Sequence, residues 1–150
     1  IIYYSFFFNF IYIYMKLITF GTYDLFHIGH LNIIKRAKNY NINETNKENT
    51  LFVGVSTDKL NYEKKQKKCI INEKDRMEIL NNIKGVDIVF KEESLEQKLE
   101  YCLKYKADVL IMGDDHKGRF DYLKTNNIDV VYLSRTPDIS TTELLTKIQH

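Results

Sequence analysis

The sequence predicts an α/β protein, a single domain built on an open, doubly wound sheet of five parallel strands. Three observations predict it. Five short apolar runs alternate with stretches of helical character: KLITF (Lys16–Phe20), LFVGVS (Leu51–Ser56), DIVF (Asp87–Phe90), VLIM (Val109–Met112) and DVVYL (Asp129–Leu133). The second run is apolar almost throughout, as in strands covered on both faces of a parallel sheet. A chain of 150 residues, 44% hydrophobic and 28% charged, has the size and balance of one core.

Residues 1–14, IIYYSFFFNFIYIY, are almost wholly apolar and carry no Lys or Arg, which a signal peptide has at its start. The stretch also falls short of the ~20 apolar residues that span a bilayer. Met15 stands immediately before the first strand, so the expectation is that residues 1–14 are an apolar extension of translated upstream sequence and that the domain covers residues 15–150. Strand one stops at Gly21, and a polar loop leads to a helix from about Gly29 to Tyr40. NYNINETNKENT, Asn39 to Thr50, has no apolar period and reads as a flexible surface excursion. After strand two comes a lysine-rich loop. Asn72 then caps a helix whose apolar positions Met77, Ile79, Leu80 and Ile83 lie toward one face and which Gly85 ends. A helix from about Leu95 to Tyr105 follows strand three, a short one near Asp121 to Thr125 follows strand four, and a last helix starts at Thr141. Right-handed crossovers make this Rossmann-like. Ligands of such sheets sit at the carboxyl ends of the strands, here the loops after Phe20, Ser56, Met112 and Leu133.

The formal charge of +2 and pI near 8.4 are too mild for a nucleic-acid footprint, so an anionic partner should be small. Cys69 and Cys102 have neither a CxxC spacing nor a histidine cluster beside them, which fits a reducing compartment and two incidental thiols.

The loop after strand one reads GTYDLFHIGH, Gly21 to His30, and puts His27 and His30 three residues apart at a helix entrance. Free N–H groups and partial positive charge at that end suit a phosphate; the imidazoles add donors and, when protonated, charge. Gly29 lets a phosphate approach the backbone. At the other end of the chain, Ser140 and Glu143 form an S-x-x-E capping box before Leu144, Leu145 and Ile148, so RTPDISTT (Arg135–Thr142) opens a second such helix. Taken alone, each is also compatible with an ordinary helix start.

Together the two segments carry a resemblance. GTYDLFHIGH resembles the GTFDxxHxGH element of the nucleotidyltransferase superfamily, and RTPDISTT resembles the RTxGISTT element of cytidylyltransferases, in the same order. Ser56-Thr57-Asp58 followed by KKQKK, and MGDD at Met112 to Asp115, match cytidylyltransferases that act on glycerol 3-phosphate; the likeness runs from Met15 to about Ile148. The resemblance implies transfer of a cytidylyl group from CTP to glycerol 3-phosphate, giving CDP-glycerol and pyrophosphate in the cytoplasm. It also implies a homodimer, a divalent ion such as Mg²⁺ accompanying the triphosphate, and no dedicated protein metal site.

By the same resemblance His27, His30, Lys67 and Arg135 carry catalysis. Thr22, Tyr23, Asp114, Thr136, Ile139, Ser140, Thr141 and Thr142 join them around the nucleotide. Lys65, Lys98 and Arg76 hold the acceptor. Read without the resemblance, Lys64, Lys65, Lys67 and Lys68 are also a solvated charge run, Lys98 a surface lysine, and Arg76 a surface or salt-bridging residue. Asp114 and Asp115 accept from the cytosine amino group, coordinate Mg²⁺ or cap the next turn; Asp24 braces its loop. Three departures stand out: Asp138 replaces a usual glycine, and Ile28 and Leu95 stand where relatives commonly carry tryptophan. Other acceptors (ethanolamine phosphate, choline phosphate), an adenylyltransferase of the FAD synthase type, and an inert nucleotide-binding module are the competing expectations.

Overall fold

The computed structural model describes residues 15–40 and 48–149. The expectation for residues 1–14, and most of the surface excursion expected from Asn39 to Thr50, lie outside the described residues.

Every apolar run becomes a strand. β1 (Lys16–Gly21), β2 (Thr50–Ser56), β3 (Ile88–Glu92), β4 (Val109–Gly113) and β5 (Asp129–Leu133) form one sheet in the order β3-β2-β1-β4-β5, and every pairing is parallel. Side chains alternate between the faces with the period of two that a strand imposes. Leu17, Leu51, Val53, Val55, Val109 and Ile111 point to one side, where α1 (Ile28–Lys38) and α3 (Glu73–Asn81) cover them with Ile34, Ala37 and Leu80. Ile18, Phe20, Phe52, Phe90, Leu110 and Met112 point to the other, where α4 (Lys98–Lys104) and the 3₁₀ turn Asp121–Asn126 supply Cys102 and Leu123. Both faces are therefore dry, at ~1.5–3 kcal/mol of transfer free energy for each large side chain fully buried.

One element was not expected. α2 (Asp58–Lys65) occupies the first part of the stretch read as a lysine-rich loop, with Thr57 as its N-cap and Gln66 in the left-handed region at φ 53° as its stop. Its only buried apolar residue is Leu60, so DKLNYEKK carries too little apolar periodicity to betray a helix. α4 is also shorter than the expected Leu95–Tyr105, and the short helix after β4 is 3₁₀ rather than α. α5 (Thr141–Ile148) starts where the capping pattern placed it. Among the described residues no helix is long and apolar enough to cross a membrane.

The strand order locates the site. From β1 the chain steps outward to β2 and β3, then returns to the far side of β1 for β4 and β5. The carboxyl ends of β1 and β4 are where the connections diverge, which opens a crevice at the sheet edge.

Candidate active site

Two confluent cavities, about 630 Å³ and about 370 Å³, occupy that crevice. Thr22, Tyr23, His30, Lys65, Met112, Asp115, His116, Thr141 and Thr142 line both. The smaller adds His27, Arg135, Thr136, Ile139 and Ser140; the larger adds Lys64, Lys67, Glu92, Lys98 and Arg119.

The histidines are the capping box of α1. The Gly29 N–H donates to His27 Nδ1 (3.0 Å) and the His27 N–H donates to His30 Nδ1 (3.4 Å), with the rings stacked at 3.8 Å between centroids and 24° between planes. An imidazole that accepts at Nδ1 carries its proton at Nε2 when neutral, so this network assigns both rings as Nε2–H donors. Burial lowers the pKa of both. His27 is pulled further down by Arg135, against Glu143, and His30, beside His27, falls to about 3. At neutral pH the pair therefore offers hydrogen bonds rather than positive charge. Gly29 is required here for a steric reason: a Cβ would lie 2.8 Å from the His27 ring and 3.3 Å from Ile139 Cγ2.

Asp24 ties three segments together. Its carboxylate accepts from the N–H groups of Leu25, Ile70 and Ile71 (3.0, 2.8 and 2.9 Å), and its carbonyl accepts from the Thr141 hydroxyl at 2.9 Å. The turn after β1, the segment following the lysines and the start of α5 are thus held in one place. Asn32 Nδ2 donates to Thr136 Oγ1 (3.1 Å) and Arg36 Nη1 to the Ser134 carbonyl (2.7 Å), fastening α1 to the connection that leads to α5. The histidine turn and the RTPDISTT segment consequently face the same crevice. Within RTPDISTT, Ser140 Oγ accepts from the Glu143 N–H at 3.1 Å, while the Thr141 hydroxyl proton is already committed to Asp24. Asp138, the residue that replaces the usual glycine, sits at φ 58°, in the left-handed region that favours glycine.

Two expected site residues lie elsewhere than a surface reading implied. Arg76 is fully buried and does not line the crevice. Its guanidinium donates to the carbonyls of Ile71 (2.9 Å), Thr22 (2.5 Å) and Ser56 (2.9 Å) and to Asp58 Oδ1 (2.6 Å), so it braces the crevice floor from beneath rather than meeting an acceptor. Lys98 is 2% exposed, in a buried ion pair with Glu92, not on the surface. Asp115, rather than Asp114, turns into the crevice. Lys64 and Lys65 project from the last turn of α2, with Lys67 just beyond it. Sequence reasoning missed Glu92, His116, Arg119 and Asn61. Asn61 accepts from the Thr22 hydroxyl at 2.8 Å and donates to the carbonyls of Ser56 and Thr57, a fixed support that only α2 could have announced.

A Rossmann-like sheet with an imidazole pair at one helix start, an arginine and hydroxyls at another, and lysines between them has the architecture of a nucleotidyltransferase. The comparisons with known proteins agree: the Cytidylyltransferase-like family model matches residues 18–147, and the chain belongs to that family. It is 43% identical over 129 residues to a glycerol-3-phosphate cytidylyltransferase of Bacillus spizizenii (86% of this chain, 93% of that one). It is 39% identical over 129 residues to that of Staphylococcus aureus (86% and 91%). A lipopolysaccharide core biosynthesis protein of Thermoplasma volcanium shares the fold, with a TM-score of 0.67 at 20% identity over 81% of this chain and 98% of that one.

Proposed function

We propose that this protein transfers the cytidylyl group of CTP to glycerol 3-phosphate, forming CDP-glycerol and releasing pyrophosphate. The observation that carries this reading is the convergence of the His27–His30 turn and the start of α5 on one crevice, held together through Asp24. The relatives named for this reaction support the choice of base and acceptor.

The acceptor's phosphate oxygen attacks the α-phosphorus in line, the new P–O bond forms as the bond to the bridging oxygen breaks, and pyrophosphate departs. No covalent protein intermediate is needed, so positioning and fixed donors do the work. The Nε2–H groups of His27 and His30 donate to the α-phosphate, where charge builds in the transition state. The free N–H groups of α5, with Arg135, Thr136, Ile139, Ser140 and Thr142, hold the β and γ phosphates. Lys67 reaches the phosphates from the opposite side, Thr22 and Tyr23 flank the nucleotide, and Lys65 and Lys98 attend the acceptor.

A divalent ion bound to the triphosphate offsets its charge. The described residues hold no cluster of three or more His, Cys, Asp or Glu to cage one, but an ion carried by phosphates needs only one or two protein oxygens. Asp115, in the crevice, is the residue that fits. The same reading places the protein in the cytoplasm as a homodimer.

The experiment is a nucleotide and acceptor screen: the protein, Mg²⁺, glycerol 3-phosphate and each of the four NTPs in turn, with pyrophosphate and product both measured. CTP alone should give CDP-glycerol. Pyrophosphate release with ATP alone would reject the cytidylyl assignment.

A further inference from the structure

Three aromatic rings line the larger cavity, Phe20, Tyr23 and Phe120, and each already faces a nitrogen group of this chain. Lys98 Nζ lies 3.8 Å from the centroid of Phe20 and 5.9 Å from that of Phe120. The Arg119 guanidinium carbon is 5.8 Å from the Phe120 centroid. Tyr23 meets the His30 ring edge-on at 5.3 Å. A quaternary ammonium is recognised by open aromatic faces, and it binds where no other cation has taken them.

Lys98 is held between Glu92 and Phe20. Its ammonium pairs with the Glu92 carboxylate, both side chains being 2% exposed, and the other Glu92 oxygen accepts from the Ser56 hydroxyl at 2.7 Å. Glu92 ends β3, Ser56 ends β2 and Phe20 sits near the end of β1, so adjacent strand ends build the arrangement. The Glu92 carboxylate, buried at the end of β3, is paired with Lys98; burial and then the nearby Lys64 and Arg119 pull the Lys98 pKa down to about 7, while contact with the Glu92 carboxylate favours the charged ammonium.

We infer that the Phe20–Lys98–Glu92 unit is an acceptor-selecting device: by seating its own ammonium on the aromatic face, the protein excludes phospho-alcohols that bear a cationic head and admits those that bear neutral hydroxyls. This deepens the proposed function and rests on it. A trimethylammonium head would meet Lys98 where it needs a bare ring, and like charge this close in a dry site is strongly repulsive. A hydroxylated acceptor has no such conflict; its hydroxyls donate to the Glu92 carboxylate and accept from Lys98. Lys98 thus both binds the acceptor and rejects its rivals, and Glu92 positions it.

The test compares kcat/KM for glycerol 3-phosphate and choline phosphate with saturating CTP, in the unaltered protein, in Lys98→Met, and in Lys98→Met combined with Glu92→Gln. The unaltered protein should prefer glycerol 3-phosphate at least 100-fold. Lys98→Met keeps the stem on Phe20 but removes the charge, and the preference should shrink at least tenfold, chiefly through KM for choline phosphate. The double variant, which leaves no buried charge unpaired, separates selectivity from folding; CTP affinity by calorimetry and Tm report its integrity. Equal loss of both acceptors, with the ratio unchanged, overturns the inference. So does an unaltered protein that binds choline phosphate within threefold as tightly as glycerol 3-phosphate, a measurement needing no variant. Turnover of a different hydroxylated phospho-alcohol in place of glycerol 3-phosphate, with choline phosphate still refused, would overturn the proposed acceptor and leave the inference standing.

Discussion

His27 and His30 show how one local choice sets both structure and chemistry. Each imidazole caps α1 through Nδ1, which leaves Nε2–H free of the cap, and burial keeps both neutral, helped by Arg135 for His27 and by His27 for His30. Replacing either by Ala should lower kcat by about 10²–10³-fold, the loss typical of one fixed donor to a developing charge, as read by pyrophosphate release. The pH dependence has a definite sign. Burial, with His27 beside it, pushes His30 from its ordinary value of 6.5 in the unfolded chain down to about 3 in the fold, so between these values the unfolded chain binds more protons. Stability should therefore fall as pH drops from 6.5 toward 3, and thermal melts of His30→Gln should show a flatter fall over that window. At the same scale, Asp138 occupies φ 58° at the cost of a side chain in the left-handed region. Asp138→Gly should stabilise the fold by about 0.5–1 kcal/mol, seen as a small rise in Tm.

At the scale of elements, the crevice depends on two buried hubs, each of which ties several segments together. Asp24 holds three backbone N–H groups and, through its carbonyl, the first residue of α5. Arg76 in α3 holds three carbonyls and Asp58 of α2. Arg76→Met should cost roughly 3–5 kcal/mol, because a buried cation and its hydrogen bonds vanish together while the carbonyls stay dry. Urea denaturation would measure it, and a loss below 1 kcal/mol would remove Arg76 from the support of the crevice. These hubs also explain what was and was not legible in the sequence. DVVYL, Asp129–Leu133, matches β5, and Ser140 caps α5 as its S-x-x-E pattern indicated, because both signals are local. α2 stayed hidden since only Leu60 among its apolar residues is buried, and Lys98 read equally well as a surface lysine since its partner Glu92 lies on a strand six residues away. Partnerships that the sheet creates between strand ends leave no periodic trace in the chain.

For the whole molecule, the strand order β3-β2-β1-β4-β5 makes successive strands switch from one side of β1 to the other between β3 and β4, and both resemblance-bearing segments arrive at that switch point from opposite ends of the sequence. His27 and Ser140 are far apart in the chain yet line one cavity. The catalytic reading depends on that meeting more than on any single residue. Its most direct test is a crystal structure of the protein with bound CTP. The α-phosphate should lie within hydrogen-bond distance of His27 and His30 Nε2 while the β and γ phosphates rest on the N–H groups that begin α5. A triphosphate bound away from either of those two helix starts would contradict it.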